Sequence, residues 1–296
     1  MRKIAFLLTT LLLLSMFSGC GNSEPPADIA ASTLPVYEFT SILCEGTGLH
    51  VTRLVTENVS CLHDYTLNVR QVKAAEYASL IVINGAGLEA FMADILSNKQ
   101  TIDASENIEL LESCHHHDNH AGDDRHDEHA EEADSHIWLS PANASIMANN
   151  ICQGLMAQYP QHQDTFQANL SKLLQQIDAL AAYGQQQLSH LEHRNVITFH
   201  DGFGYLAQWC DLEIVKAIEE ESGAEASAAE LIEIIELVRQ HNIAAIFTEI
   251  NGSTSAASVI AAETGVHVFH LDMAMSGESW FDAMYHNIDT LKEALG

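Results

Sequence analysis

The sequence predicts an α/β protein of two lobes, each with a parallel β-sheet flanked by helices, joined by one long rigid helix. Three observations carry this. Apolar runs of strand length alternate with helical patterns along nearly the whole chain, as βαβ units require. Residues 80–84 (LIVIN) form an apolar run of the kind expected for a parallel strand buried on both faces. Between two such alternating blocks, residues 161–191 place Phe166, Leu170, Leu173, Leu174, Ile177, Leu180 and Leu188 at helical spacing. That stretch makes a helix of about 45 Å, long enough to bridge two lobes.

The chain opens with an export signal over residues 1–20. Arg2 and Lys3 give a positive start, and the apolar run from Ile4 to Leu14 is too short to span a membrane comfortably. The run stops at Phe17, Ser18, Gly19 and Cys20, which resembles a bacterial lipobox. Cys20 would then be lipidated and become the mature N-terminus, anchoring the protein to the membrane. Ordinary signal cleavage is the alternative. Residues 21–28 read as a flexible tether.

The N-terminal lobe is placed at residues 29–159. It starts with a strand over 29–33, a helix from Pro35 to about Glu45 and a strand over 49–55. The loop 56–66 follows and holds His63 just beyond a strand end. Asn68 caps a helix over 69–78, ahead of the strand at 80–84. Gly85 and Gly87 suit a tight turn into a helix over 88–96. The GAGLEA sequence lacks the third glycine of a dinucleotide loop, and no acidic partner is placed for a ribose.

Residues 113–135 break the pattern. His115, His116, His117, His120, His126 and His129 sit among Asp118, Asp123, Asp124, Asp127 and Glu128, and nothing apolar larger than Ala lies between Cys114 and Ile137. Such a tract cannot bury enough surface to offset its ordering entropy, so a mobile loop is expected. Imidazoles among carboxylates nevertheless favour cations, and the tract is expected to hold ions weakly. At Asp134–Ser135–His136–Ile137–Trp138–Leu139 the chain turns apolar and aromatic, so His136 is the histidine of this region that a folded wall would fix.

Pro141 starts a helix to about Tyr159, Pro160 interrupts it, and the linking helix fills residues 160–192. The C-terminal lobe, 193–296, repeats the alternation. Strands are expected at 196–199 ending at His200, at 212–218, at 243–247 ending at Thr248 and Glu249, and at 266–271 ending at Asp272. Helices are expected at 202–210, 253–264 and 279–295. Ser227 opens a further helix to His241, with Glu230 completing a capping box. An acidic loop fills 219–226.

Composition narrows the function. The chain has 12 Lys and Arg against 41 Asp and Glu, a formal charge of −29, which disfavours a nucleic-acid partner and suits cation capture. The six cysteines, with Cys20 set aside, leave an odd number in an exported protein, so at least one is free or pairs between molecules. Cys152 and Cys210 read as small buried thiols within helices.

In parallel α/β sheets ligands gather at the carboxyl ends of strands. His63, His200, Glu249 and Asp272 all stand there, and His136 borders the fixed wall. Three imidazoles with a choice of carboxylates favour zinc, whereas manganese wants more oxygen.

The motifs HDYTL from His63, VINGAGLE, DSHIWLSP around His136, TFHDGFGYLA around His200, EASAAEL, IFTE ending at Glu249 and HLDMA around Asp272 together resemble one family. It is the metal-specific solute-binding lipoproteins of bacterial ABC importers, in the zinc-uptake (ZnuA-type) branch, from about residue 29 to residue 296. The resemblance implies high-affinity extracytoplasmic zinc capture and delivery to a permease with its ATPase subunit, by a monomer that is not an enzyme. It implies zinc ligands His63, His136, His200 and Asp272, with Glu249 as the alternative carboxylate. The family's proline-rich approach to its first histidine is replaced by Ser60–Cys61–Leu62, so Cys61 is an alternative ligand or a partner for Cys44. A zinc hydrolase, a surface metal buffer or adhesin, and manganese as the cargo remain the alternatives from the residues alone.

Overall fold

The computed structural model describes residues 27–59, 62, 65–112, 133–219, 227–252 and 254–296. Cys20, Cys61, His63, Cys114 and the six histidines from His115 to His129 lie outside these, as do the signal, most of the tether and most of the 219–226 loop.

Two four-stranded, wholly parallel sheets are present. The first contains β1 (Ile29–Ala31), β2 (Val51–Arg53), β3 (Leu80–Ile83) and β4 (Thr101–Asp103) in the order β2-β1-β3-β4. The second contains β5 (Asn195–His200), β6 (Glu213–Glu219), β7 (Ala245–Glu249) and β8 (His267–Leu271) in the order β6-β5-β7-β8. The strand order is therefore the same in both. β7 is buried at every position, as a central strand with helices on both faces must be. β8, at an edge, exposes His267 and His270.

The first lobe's helices are α1 (Leu34–Leu43), α2 (Val69–Tyr77), the short α3 (Ala93–Leu96) and α4 (Pro141–Gln158). Asn68 caps α2 reciprocally with Gln71, and Pro35 and Pro141 occupy first-turn positions where no amide hydrogen is needed. The linking helix α5 spans Gln163–Leu188 after a 3-10 turn at Pro160–His162. At 26 residues it is about 39 Å long, and it packs on α1, α4 and α9 (Trp280–Leu295). The second lobe adds α6 (Gly204–Cys210), α7 (Ala228–Gln240) and α8 (Ser255–Thr264). Ser227 and Glu230 form the expected capping box.

Two expectations change. The helix at 88–96 is mostly a turn, a 3-10 segment at Ala90–Met92 and a single α-turn. Gly85, Ala86 and Gly87 hold φ of +84°, +52° and +83°, and Glu89 turns its carboxylate back onto the chain, so no regular helix propagates from the strand. β4 was not foreseen, because three residues are too few to show a period. Among the described residues Cys44, Cys152 and Cys210 are buried free thiols.

One hydrophobic core runs from Ile29 to Leu295 and includes residues of both lobes. Two tryptophans stitch it. Trp280 Nε1 donates to the Trp138 carbonyl at 3.0 Å, and Trp138 Nε1 donates to the Met273 carbonyl at 2.7 Å. Phe39 of α1 meets Trp280 edge-on at 5.0 Å between centroids. Glu38 beside it accepts from Ser279 Oγ and from the Trp280 amide at the start of α9. At the surface, Asn58 and Asn251 exchange amide hydrogen bonds of 2.7 and 2.8 Å. Residues from the two lobes are thus tied in the core and at the rim.

Candidate metal centre

His136 stands at the head of a buried 3-10 turn, Ile137–Leu139, whose three side chains are all fully buried. That wall fixes its ring, and Trp138 lies against it at 5.2 Å between centroids. Asp134, two residues earlier, accepts on Oδ1 from the His136 backbone amide at 2.9 Å and faces His136 Nδ1 at 2.8 Å. A carboxylate only accepts, so Nδ1 carries the hydrogen and Nε2 keeps its lone pair.

His200 ends β5 and Glu249 ends β7, its neighbour in the sheet. Parallel strands that end together bring these side chains together, and Glu249 Oε1 lies 3.3 Å from His200 Nδ1. The carboxylate lies on the Nδ1 side of the ring, so Nε2 faces away from it. Gly202 makes room for the ring, since a Cβ there would lie 2.6 Å from His200 Cδ2 and 2.8 Å from its Nε2.

The two Nε2 atoms face each other 3.3 Å apart, with the rings nearly perpendicular at 86°. Both histidines are buried, at 4 % and 3 % exposure. Asp134 engages His136 Nδ1, and the contact between the two Nε2 atoms is of hydrogen-bond length, so one Nε2 can donate to the other, and a cation shared by the two would displace that hydrogen. The separation suits zinc: ligands at 2.0–2.1 Å in tetrahedral array stand about 3.3–3.4 Å apart.

Asp272 follows β8 and is half-buried. Its Oδ1 accepts from the Ala274 amide at 2.8 Å, and its own amide donates to Asn287 at 2.7 Å. The following residue, Met273, receives the Trp138 hydrogen bond and reaches toward Gly202, so this strand end lies by the two imidazoles. Among the described residues no set of three or more His, Cys, Asp or Glu closes around a single point. The structure therefore brings His136 and His200 together, sets Glu249 behind His200, and leaves Asp272 bound to its own turn. Asp134 was missed at the level of sequence. Its signal was present: a carboxylate two residues before a histidine on a tight turn reaches both the backbone amide and the ring.

The chain is similar to known proteins over nearly its whole length. Residues 29–294 match the family described as zinc-uptake complex component A, periplasmic (ZnuA). A relative from Streptococcus pneumoniae, named zinc-binding lipoprotein AdcA, is 30 % identical over 99 % of this chain. The chain spans only 61 % of that relative's length. A crystal structure of ZnuA superposes with a TM-score of 0.77 at 27 % identity, covering 91 % of this chain and all of that one. The Zn(II)-bound ZnuA-like domain of Streptococcus pneumoniae AdcA gives a TM-score of 0.75 at 28 % identity, covering 92 % of this chain and 99 % of that domain.

Proposed function

We propose a function from one premise: the chain belongs to the ZnuA family of periplasmic zinc-uptake components. It captures zinc outside the cytoplasm and hands it to the permease of an ABC importer, which an ATPase subunit drives. It works as a monomer held at the membrane by lipidated Cys20. The observation that carries the reading is the pair of Nε2 atoms 3.3 Å apart, each on a ring whose other nitrogen faces a carboxylate. Imidazole nitrogens at that spacing favour zinc over harder ions. His63 supplies the third nitrogen from the loop after β2, and Asp272 completes the shell by leaving its turn. His115, His116, His117, His120, His126 and His129 add weak accessory sites.

A hydrolase would need a base beside a zinc-bound water. Glu249 lies on the Nδ1 side of His200 and Asp134 on the Nδ1 side of His136, both away from the paired nitrogens. Their place is to hold ligands rather than to take a proton from water.

Zinc titration against a competing chelator tests this on the wild type and on His63→Ala, His136→Ala and His200→Ala. Each variant is expected to lose more than about a hundredfold in affinity, beyond the range for groups that merely orient ligands. Retention of wild-type affinity by His136→Ala or His200→Ala would remove the site.

A further inference from the structure

Tyr205 lies on α6, five residues after His200, and is buried at 2 % exposure. Its hydroxyl donates to the Asp134 carbonyl at 3.0 Å and accepts from the Leu111 amide at 3.0 Å. These two groups belong to opposite ends of one excursion of the chain. The Asp134 amide donates to the Leu111 carbonyl at 2.8 Å, and Glu112 and Ala133 bridge antiparallel beside it. The phenol thus adds to the tie between Leu111–Glu112 and Ala133–Asp134. Gly204, one residue earlier, brings the start of α6 against the same aspartate: a Cβ there would stand 3.0 Å from Asp134 Oδ2.

We propose that Tyr205 is a positioning residue for zinc. It holds Asp134 in the place from which that carboxylate turns His136 Nε2 toward His200. The inference rests on the zinc-capture reading above. Its logic is geometric. Asp134 controls His136 through one oxygen, which serves both the ring and the backbone amide. The backbone of Asp134 is in turn held by the Leu111 carbonyl and by the phenol. The phenol rides on the helix that follows the His200 strand, so the element carrying one imidazole sets the orientation of the other. Loss of the hydroxyl would leave the Leu111 amide and the Asp134 carbonyl with weaker partners and loosen the tie between them. A movement of a few tenths of an ångström at Asp134 would rotate His136 out of tetrahedral register.

The bland alternative is that the phenol only satisfies two backbone groups. Tyr205→Phe in the full chain separates the two, because it keeps the ring. Zinc affinity by chelator competition is expected to fall about tenfold, within the range for groups that orient ligands. The cobalt(II) form is expected to lose intensity in its tetrahedral absorption bands, a readout of ligand geometry that a loss of stability alone does not move. Asp134→Asn combined with Tyr205→Phe should cost little more affinity than Asp134→Asn alone, since both act through one carboxylate. Wild-type affinity and an unchanged cobalt spectrum in Tyr205→Phe overturn the inference. If Tyr205→Phe does not fold, Gly204→Ala presses on Asp134 with the hydroxyl intact, and an unchanged spectrum there overturns it equally. A wild-type protein with no tight zinc overturns the capture reading and this inference together. Tight zinc in the wild type with no effect of Tyr205→Phe overturns this inference alone.

Discussion

The two sheets share one strand order, and each leaves a crevice between its central strands where successive connections depart to opposite sides. The lobes fill that crevice differently. In the first lobe Ser32 follows β1, and Asn84 and Gly85 follow β3. Glu89 closes the gap between them, accepting from Ser32 Oγ at 2.6 Å and from the Asn84 and Gly85 amides at 2.8 and 3.1 Å. Every donor belongs to the chain, and the carboxyl is a dead end. Burial pushes it up to about 7 against the pull of those donors. In the second lobe the crevice between β5 and β7 holds Glu249 and His200. Here the carboxylate meets an imidazole, and an imidazole has a second nitrogen. What turns the second crevice outward is a partner with two faces, on a topology that is otherwise the same.

The comparison can be broken at either carboxylate. The largest effect is expected from Glu89→Ala. It strands a buried hydroxyl and two buried amides at about 1–3 kcal/mol each, so urea denaturation should show a loss of about 3 kcal/mol or more. Zinc affinity of the folded fraction should be essentially unchanged, and a collapse of affinity there would mean that the first crevice also serves the metal.

A second effect concerns pH. The folded Glu89 carboxyl titrates at about 7, above its ordinary 4.5, so the native state holds a proton through that window. Its contribution to stability is full below 4.5 and is lost as pH rises to about 7. Relative to Glu89→Gln, which has nothing to titrate, the wild type should lose up to about 3 kcal/mol between those limits. Parallel pH profiles of the two proteins would refute the assignment.

The smallest effect sharpens the contrast. Glu249→Ala should cost about 10–100-fold in zinc affinity, or about 1.4–2.7 kcal/mol of binding, with a smaller loss of folding stability than Glu89→Ala. The reverse ranking of the two variants would erase the distinction between the crevices.

Much of this was legible in the sequence because it follows local rules. The parallel sheets, the linking helix and the Ser227 cap came from period and capping chemistry, and His200 and Glu249 were placed at strand ends by counting. Boundaries shifted where tertiary contacts decide. The 88–96 segment scans as helix, yet Glu89 is drawn back to Ser32, 57 residues away. Tyr205 left no trace for the same reason, since its partners lie 94 and 71 residues distant. Pairwise contacts of that range have no period to read. His63 and Cys20 rest on motif alone.

The tryptophan-stitched core has a consequence for amide exchange. A core that draws on β1 and on α9 alike opens as one unit, so its slowest amides exchange only through global unfolding. Zinc held at a free concentration a thousandfold above its Kd adds about 4 kcal/mol to that opening. Protection should then deepen in β1 and β3 as much as in β5, although no ligand stands on those strands. The exposed start of α2 at Val69 and the segment around Ile250, which are not part of that core, would exchange at rates the metal hardly alters.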